Sequence, residues 1–509
     1  MRLNGATALL APGLARHPER IACVCGGENA TFWDLDELSS RFGSALLAAG
    51  AAPGDRAAIV LPDGIAYVAA FLGCLKAGVL PALVSTALDV EASEAILADS
   101  GARILVADPS LAAWSAESRD LAFRLPVTPE SLREFLANGD PGFTARAARD
   151  DDPAFLLYTS GTTGEPKGVL HAHGAPAVTA RAFGDGVLGL SPDDVVFSAS
   201  KLFFAYGLGN SLSFPLRAGA TAILHPGKVT PGELLRILET HRPTVVFAVP
   251  SLYNFVLRVV ERAGPLAIPR LWVSAGEALP APLVTAWTAL TGAPVIDGIG
   301  TTEALHIFLS NRPDSVRPGS SGTPVPGYEV RIVDDEGRDV APGTPGHLLV
   351  RGESVAKGYW RRDGTPAAAA DGDGWLRTGD VYVEEDGVFV HRGRSDDLLK
   401  VDAQWVSPVV VEAVLYEHPA VAECAVTGVK VWGLVRVGAH VVLRDGVPGS
   451  GDTVEALRRH VQARLPAHMV PARITFRREL PKTATGKIQR FRLREGSAHG
   501  LAASTARTP

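Results

Sequence analysis

Through the first half of the chain, short apolar runs rich in β-branched residues alternate with longer helical patterns. Residues 57–61 (Ala-Ala-Ile-Val-Leu) predict a strand, and 64–77 a helix. Residues 82–85 and 103–107 predict further strands, and 244–249 and 271–274 repeat the pattern after intervening helices. Such alternation, with strands that are apolar throughout, predicts an α/β fold with parallel, largely buried strands. Beyond Gly327 the texture changes to strand and turn. Residues 329–334, 346–351 and 387–392 surround Asp-Glu-Gly and Pro-Gly turns and predict a β-rich subdomain. After about residue 394 a separate strand–helix pattern follows, including an amphipathic helix over 453–465. No internal repeat is visible, and the Ala/Ser/Gly/Thr-rich tail from about Ser497 is expected to be disordered.

The most apolar stretch, 66–88, is long enough to raise the question of a membrane span. Lys76, Gly73, Gly78 and Pro81 interrupt it, so a buried helix running into a buried strand is expected instead. The N-terminus lacks a basic region followed by a continuous apolar run, which argues against a signal peptide. A length of 509 residues exceeds one hydrophobic core and implies at least two domains. The formal net charge of −6 gives no support for nucleic-acid binding. The four cysteines (Cys23, Cys25, Cys74, Cys424) form neither a metal-like set nor a disulfide scaffold, and Cys23-Val-Cys25 alternates like a strand whose thiols pack. A cytoplasmic enzyme is the expectation.

Chemistry enters with Tyr158-Thr-Ser-Gly-Thr-Thr-Gly-Glu-Pro-Lys-Gly168, which places four small hydroxyl residues, three glycines and one lysine in eleven positions. Glycine lets backbone approach an anion, hydroxyls and N–H groups donate to phosphate oxygens, and lysine adds charge. The Walker spacing is absent, because Lys167 is followed by Gly168. A surface turn would use many of the same residues. Further segments follow: Ser274-Ala-Gly-Glu-Ala-Leu-Pro280, Asp297-Gly-Ile-Gly-Thr-Thr-Glu303, Gly374-Trp-Leu-Arg-Thr-Gly-Asp380, Gly393-Arg-Ser-Asp-Asp397 and Pro481-Lys-Thr-Ala-Thr-Gly-Lys487.

In kind and order these segments resemble the AMP-forming acyl/aryl-CoA synthetases, the adenylate-forming superfamily. Lys201-Leu-Phe-Phe-Ala-Tyr-Gly-Leu-Gly-Asn210 and Thr302-Glu-Ala-Leu-His-Ile-Phe-Leu-Ser-Asn311 most resemble its benzoate-CoA ligases. The resemblance implies a large N-terminal domain (1–393) of parallel and mixed sheets with helices plus a β-rich subdomain, and a small, mobile α+β C-terminal domain (394–509). It implies ATP and Mg²⁺ as cofactors, and an aromatic carboxylic acid with CoA, or the pantetheine arm of a carrier protein, as partners. A monomer or homodimer is expected.

Carried over by motif, Thr159, Ser160, Gly161, Thr162, Thr163, Gly164 and Lys167 would hold phosphates. Gly276, Glu277, Ala278, Asp297 and Gly298 would flank the nucleotide, and Asp380 with Arg394 the ribose. Lys487 would bridge carboxylate and α-phosphate, while Thr302 and Glu303 would contact phosphate and Mg²⁺. One glutamate suffices there, since magnesium relies largely on phosphate oxygens and water. Phe204, Ala205, Tyr206, Gly300, His306 and Ile307 would line the acid pocket, and Asp396 would be the hinge.

Plainer readings of some residues stand beside these: Thr302 as an N-cap, Asp380 as a loop-capping aspartate, His171 and His173 as structural histidines. Residues 197–212 contain no Asp or Glu, so they offer no carboxylate to an α-ammonium group. Burying that cation unpaired is costly, which argues against amino-acid substrates. The chain departs from the benzoate-type pattern at Asp402-Ala403, where Ser-Gly is usual. Alanine tolerates positive φ less well than glycine, so the departure is either silent or alters which thiol is accepted.

Overall fold

The apolar runs assemble into two large sheets. The computed structural model describes residues 4–111, 121–160, 166–260, 267–361, 365–402, 404–482 and 488–494. One sheet has seven strands in the order Gly358–Tyr359, Pro166–Ala172, Pro153–Ser160, Leu80–Leu83, Arg56–Val60, Ile104–Ala107 and Phe123–Pro126. From Pro153–Ser160 onward its neighbours run parallel, and the two strands at the other edge are antiparallel additions. The second sheet has nine strands: Thr323–Pro324, Ile307–Ser310, Val295–Gly300, Leu271–Ala275, Val245–Ala248, Val195–Ser198, Thr221–Leu224, Ile21–Cys25 and Glu28–Thr31. Its central strands, from Val295–Gly300 to Ile21–Cys25, are parallel.

The stretch that raised the membrane question is helix Ile65–Ala77 followed by strand Leu80–Leu83. Gly64 is the helix N-cap, and Gly78 ends the helix in the left-handed region at φ 73°. Every residue from Tyr67 to Ala77 is buried, because helix Phe32–Ala48 packs along it and Gly73 admits Phe42 at close range. No helix among the described residues is long and apolar enough to cross a membrane. The strand lies two residues earlier than the pattern predicted, since Arg56–Ile59 pairs in register with Leu80–Leu83.

A four-stranded sheet (Glu329–Val333, Gly346–Arg351, Leu376–Glu385, Val388–Arg394) forms the strand-and-turn region. Further on, strands Val421–Val431, Leu434–Leu443 and Arg473–Phe476 make a three-stranded sheet, with helices Pro408–Tyr416 and Gly451–Gln462. These share a core of their own, built from Val411, Leu415, Val426, Val441, Leu457 and Val461. The chain divides into two compact units: Met1–Leu279, Leu283–Thr378 and Tyr382–Val390 in one, Pro280–Pro282, Gly379–Val381 and His391–Pro509 in the other.

Candidate active site

The central strands of the nine-stranded sheet deliver their following loops to one edge. Strands Val195–Ser198, Val245–Ala248, Leu271–Ala275 and Val295–Gly300 are parallel neighbours, so the segments after Ser198, Ala275 and Gly300 leave at their shared carboxyl end. That edge is where open α/β sheets bind ligands. It brings together the three segments singled out in the sequence: 201–210, 276–278 and 300–303.

Gly276 turns the chain out of its strand at φ 98°, leaving Gly276 and Ala278 exposed and Glu277 half-buried. In the adjacent strand Gly298 is obligatory in a steric sense, since a Cβ there would lie 2.7 Å from Ile307 Cγ2 and 2.8 Å from Leu309 O. Gly300 is exposed at the strand end, facing the backbone of His306 and Ile307. Just before Gly298 the Asp297 side chain is buried, and burial lifts its pKa to about 8, while Ser274 and the backbone at Leu279 and Gly298 oppose the rise.

After Gly300 a single helical turn, Thr302–Ala304, presents Glu303. Its N-cap is Thr301, not Thr302: the Thr301 hydroxyl accepts the Glu303 N–H at 3.0 Å and also donates to Glu303 Oε2. Thr302 is thereby left as a half-buried first-turn residue. Tyr359 donates to Glu303 Oε1 at 2.8 Å, and the Ala356 N–H reaches Glu303 O at 2.7 Å. Leu305 then reverses the chain at φ 68°.

Tyr359 belongs to the edge of the seven-stranded sheet, opposite Val169. The next strand in, Pro166–Ala172, forms a hairpin with Pro153–Ser160, with Thr159 opposite Lys167 and Ser160 opposite Pro166. Glu303 is thus tied to the sheet that carries the Gly/Thr-rich loop. Thr159 is half-buried and Lys167 exposed at the mouth of that hairpin. Gly161, Thr162, Thr163, Gly164 and Lys487 lie outside the described residues, as do Ala403 and the tail from Ser497.

On the other side of the edge, Phe204 and Ala205 are half-buried at the start of a short helix, Ala205–Leu208. Tyr206 is half-buried as well, its hydroxyl donating to Val273 O at 3.2 Å. His306 is buried against Tyr206, Phe183 and Phe214, with ring centroids 5.5, 5.3 and 4.5 Å away. Its Nε2 is 3.0 Å from Asn210 Oδ1, and Asn210 in turn donates to Ser198 Oγ at 3.3 Å. Burial holds the His306 pKa down to about 3, so the ring is neutral. Ile307 is buried beneath Gly298.

Two carboxyls from outside residues 197–212 approach that segment, a proximity the sequence did not show. Asp63 accepts the Leu202 N–H and faces Lys201. Asp297, close enough to influence Tyr206, holds its proton at neutral pH. Neither is a free carboxylate for an ammonium group. His171 lies stacked on Phe155 at 5.1 Å, its pKa pushed to about 3 by burial, with its ring beside the Thr302 backbone. His173 Nδ1 accepts the Gly5 N–H at 3.1 Å.

In the second unit Asp380 lies within strand Leu376–Glu385 and is buried, so it is not the loop cap that its neighbours Thr378-Gly379 suggested. His391 Nε2 is 3.5 Å and Arg394 Nη1 3.9 Å from its Oδ1. Arg394 packs over Gly379, whose φ of 80° suits a residue without a side chain, and its Nε is 3.5 Å from the exposed Asp396. Asp402 sits at φ 50° and pairs with Arg436 at 2.8 Å, so this aspartate itself takes the left-handed turn position.

The chain matches the family model for AMP-binding enzymes over residues 11–360, and the model for their C-terminal domain over 410–487. It is 42% identical to a benzoate–CoA ligase of Thauera aromatica over 487 residues, covering 92% of this chain and 91% of that one. It is 38% identical to a 4-hydroxybenzoate–CoA/benzoate–CoA ligase of Rhodopseudomonas palustris, covering 95% and 92%. A crystal structure of a benzoate CoA ligase from Burkholderia xenovorans superposes with a TM-score of 0.90 at 41% identity, covering 97% of this chain and 100% of that one.

Proposed function

The chain belongs to the AMP-binding enzyme family, and from that premise we propose that it is an aryl acid:CoA ligase acting on benzoate or a close analogue. The acid's carboxylate attacks the α-phosphorus of ATP, giving an acyl-adenylate and pyrophosphate. The thiol of CoA then attacks the acyl carbon and AMP leaves. The observation that carries this reading is the convergence of 201–210, 276–278 and 300–303 at one strand edge. Half-buried aromatic residues stand on its acid side, where the two carboxyls that approach are the paired Asp63 and the protonated Asp297.

The first step brings two anions together, so the site must supply positive charge and donors where charge accumulates. Glu303 is suited to hold Mg²⁺, a hard cation that takes one or two carboxylates along with phosphate oxygens and water. Its carboxylate is fixed by Tyr359 and Thr301, which hold it at the strand edge. When bound, the ion would neutralise phosphate charge. Thr302 and the hairpin residues Thr159, Ser160 and Lys167, with Gly161, Thr162, Thr163 and Gly164, would donate to phosphate. Gly276, Glu277, Ala278, Asp297 and Gly298 would frame the nucleotide base.

Asp380 accepts from ribose hydroxyls in this reading, with Arg394 and His391 beside it. Lys487 bridges the acid and the α-phosphate. Phe204, Ala205, Tyr206, Gly300, His306 and Ile307 form the acid's walls; a neutral His306 and flat rings suit a planar, uncharged ring. The N-terminal domain ends near residue 393, and the small domain turns about Asp396 between the two half-reactions. Dependence on ATP and CoA fits a cytoplasmic setting.

Exchange of radiolabelled pyrophosphate into ATP tests the first step. Exchange should require benzoate and be absent with phenylalanine, whose ammonium group has no partner. Exchange supported equally by the amino acid would contradict the acid-pocket assignment.

A further inference from the structure

Lys201 and Asp63 come from segments far apart in sequence and meet inside the first unit. The Lys201 Nζ is 3.9 Å from Asp63 Oδ2, with only 14% and 2% of the side chains exposed. Asp63 Oδ1 accepts the Leu202 N–H at 2.9 Å, and Lys201 Nζ also donates to His225 O at 2.5 Å. Taking two charges out of water is costly, and their attraction offsets that cost only where geometry is good. Plain packing would be served as well by apolar residues of similar volume.

What the pair holds is the turn that carries the acid wall. Lys201 O accepts the Phe204 N–H at 3.0 Å. The same carbonyl lies so close to Gly207 that a Cβ there would collide with it. Residues 201–207 therefore close on the Lys201 backbone, and a shift at Lys201 moves Phe204, Ala205 and Tyr206 together. On the far side, Ser198 Oγ accepts the Ser200 N–H at 3.2 Å and links through Asn210 to His306.

We propose that the Asp63–Lys201 ion pair is a positioning device for the aryl acid, setting the wall formed by Phe204, Ala205 and Tyr206 from behind. Neither residue touches substrate; both act through the turn. The inference rests on the acid-pocket reading above. Around the pair stand Cys25, whose Sγ donates to Asp63 O at 3.8 Å, the buried Tyr67, and His225 with Glu233 3.6 Å from it. Burial lowers the Lys201 pKa and raises that of Asp63 to about 6, in keeping with a pair held away from water.

The test is steady-state kinetics with benzoate, Mg-ATP and CoA on Lys201→Met, Asp63→Asn, the double variant and Lys201→Arg, with thermal melts alongside. A misplaced wall is expected to raise the KM for benzoate on the order of 10- to 100-fold in each charge-removing single variant. The KM for ATP should stay within about 2-fold, because the nucleotide segments do not hang on this turn. The double variant, which leaves no buried charge unpaired, should recover part of the loss, and Lys201→Arg should keep most of the benzoate affinity. Melting temperatures that fall while the benzoate KM is unchanged would overturn the proposal, leaving a purely structural pair. So would benzoate and ATP KM values rising together. If a single variant does not fold, Lys201→Arg and the double variant carry the comparison. Absence of benzoyl-CoA with the unaltered protein would instead overturn the functional reading itself.

Discussion

Burial lifts the Asp297 carboxyl to a pKa of about 8, so at neutral pH it is a proton-bearing acid rather than an anion. Its sequence setting, followed by Gly298, Ile299 and Gly300, marks it as a motif position but says nothing of that charge state. The folded pKa lies above the unfolded value. Its contribution to stability is therefore complete below about pH 4 and is lost as pH rises to about 8. His171 and His306, both held down to about 3, act in the opposite sense: stability present above about pH 6.5 is lost as pH falls. Thermal melts of the unaltered protein and Asp297→Asn from about pH 5 to about pH 9 isolate the aspartate. The variant should gain relative stability up to about pH 8, and the difference should then level off. A difference independent of pH would contradict the assignment. Tyr359→Phe tests the carboxylate of Glu303. Losing a hydrogen bond to a charged group costs about 1.5–3 kcal/mol, so the KM for Mg-ATP should rise roughly tenfold or more. An unchanged KM would remove Glu303 from the nucleotide site.

At the scale of elements, the apolar runs were legible because the central strands are buried on both faces and helices are framed by caps. Helix Ile65–Ala77 begins after Gly64 and ends at Gly78, close to the predicted span, and Gly346–Arg351 matches its predicted bounds. The strand expected at 82–85 lies at Leu80–Leu83, because its register with Arg56–Val60 decides its position and a local pattern cannot see a partner. The N-cap at Thr301 rather than Thr302 was hidden for a similar reason: adjacent threonines are chemically alike, and only geometry selects one. Asp63 and Lys201 were not legible as a pair at all, since nothing in either segment marks the other. Gly209 gives a prediction at this scale. A Cβ there would collide with His306 Cδ2, so Gly209→Ala must displace the ring or the helix backbone. Overpacking of this kind costs about 1–3 kcal/mol, to be read in denaturant melts, with weaker benzoate binding alongside. A variant as stable as the parent and with the same benzoate KM would show that the His306 position is not fixed by this contact.

At the scale of the whole molecule, segments remote in sequence meet where strands pair: within the first unit the nine-stranded sheet gathers 201–210, 276–278 and 300–303 at one edge. The ordered motifs and the family they resemble pointed to the chemistry, while the surroundings of Glu303, Asp380 and His306 could come only from the fold. Lys487 and the centre of the Gly/Thr-rich loop lie outside the described residues, so the expectations for them rest on their motifs. The role proposed for Lys487 predicts an asymmetry between half-reactions. Lys487→Ala should abolish adenylation far more than thioester formation from supplied benzoyl-adenylate; equal loss in both would contradict it. That this chain joins an aromatic acid to CoA through an adenylate is tested most directly by mass spectrometry of purified protein incubated with benzoate, Mg-ATP and CoA. Benzoyl-CoA and AMP should form together and in equal amounts. AMP without benzoyl-CoA would contradict CoA as the thiol and point to a carrier protein, and neither product would contradict the aryl-acid assignment itself.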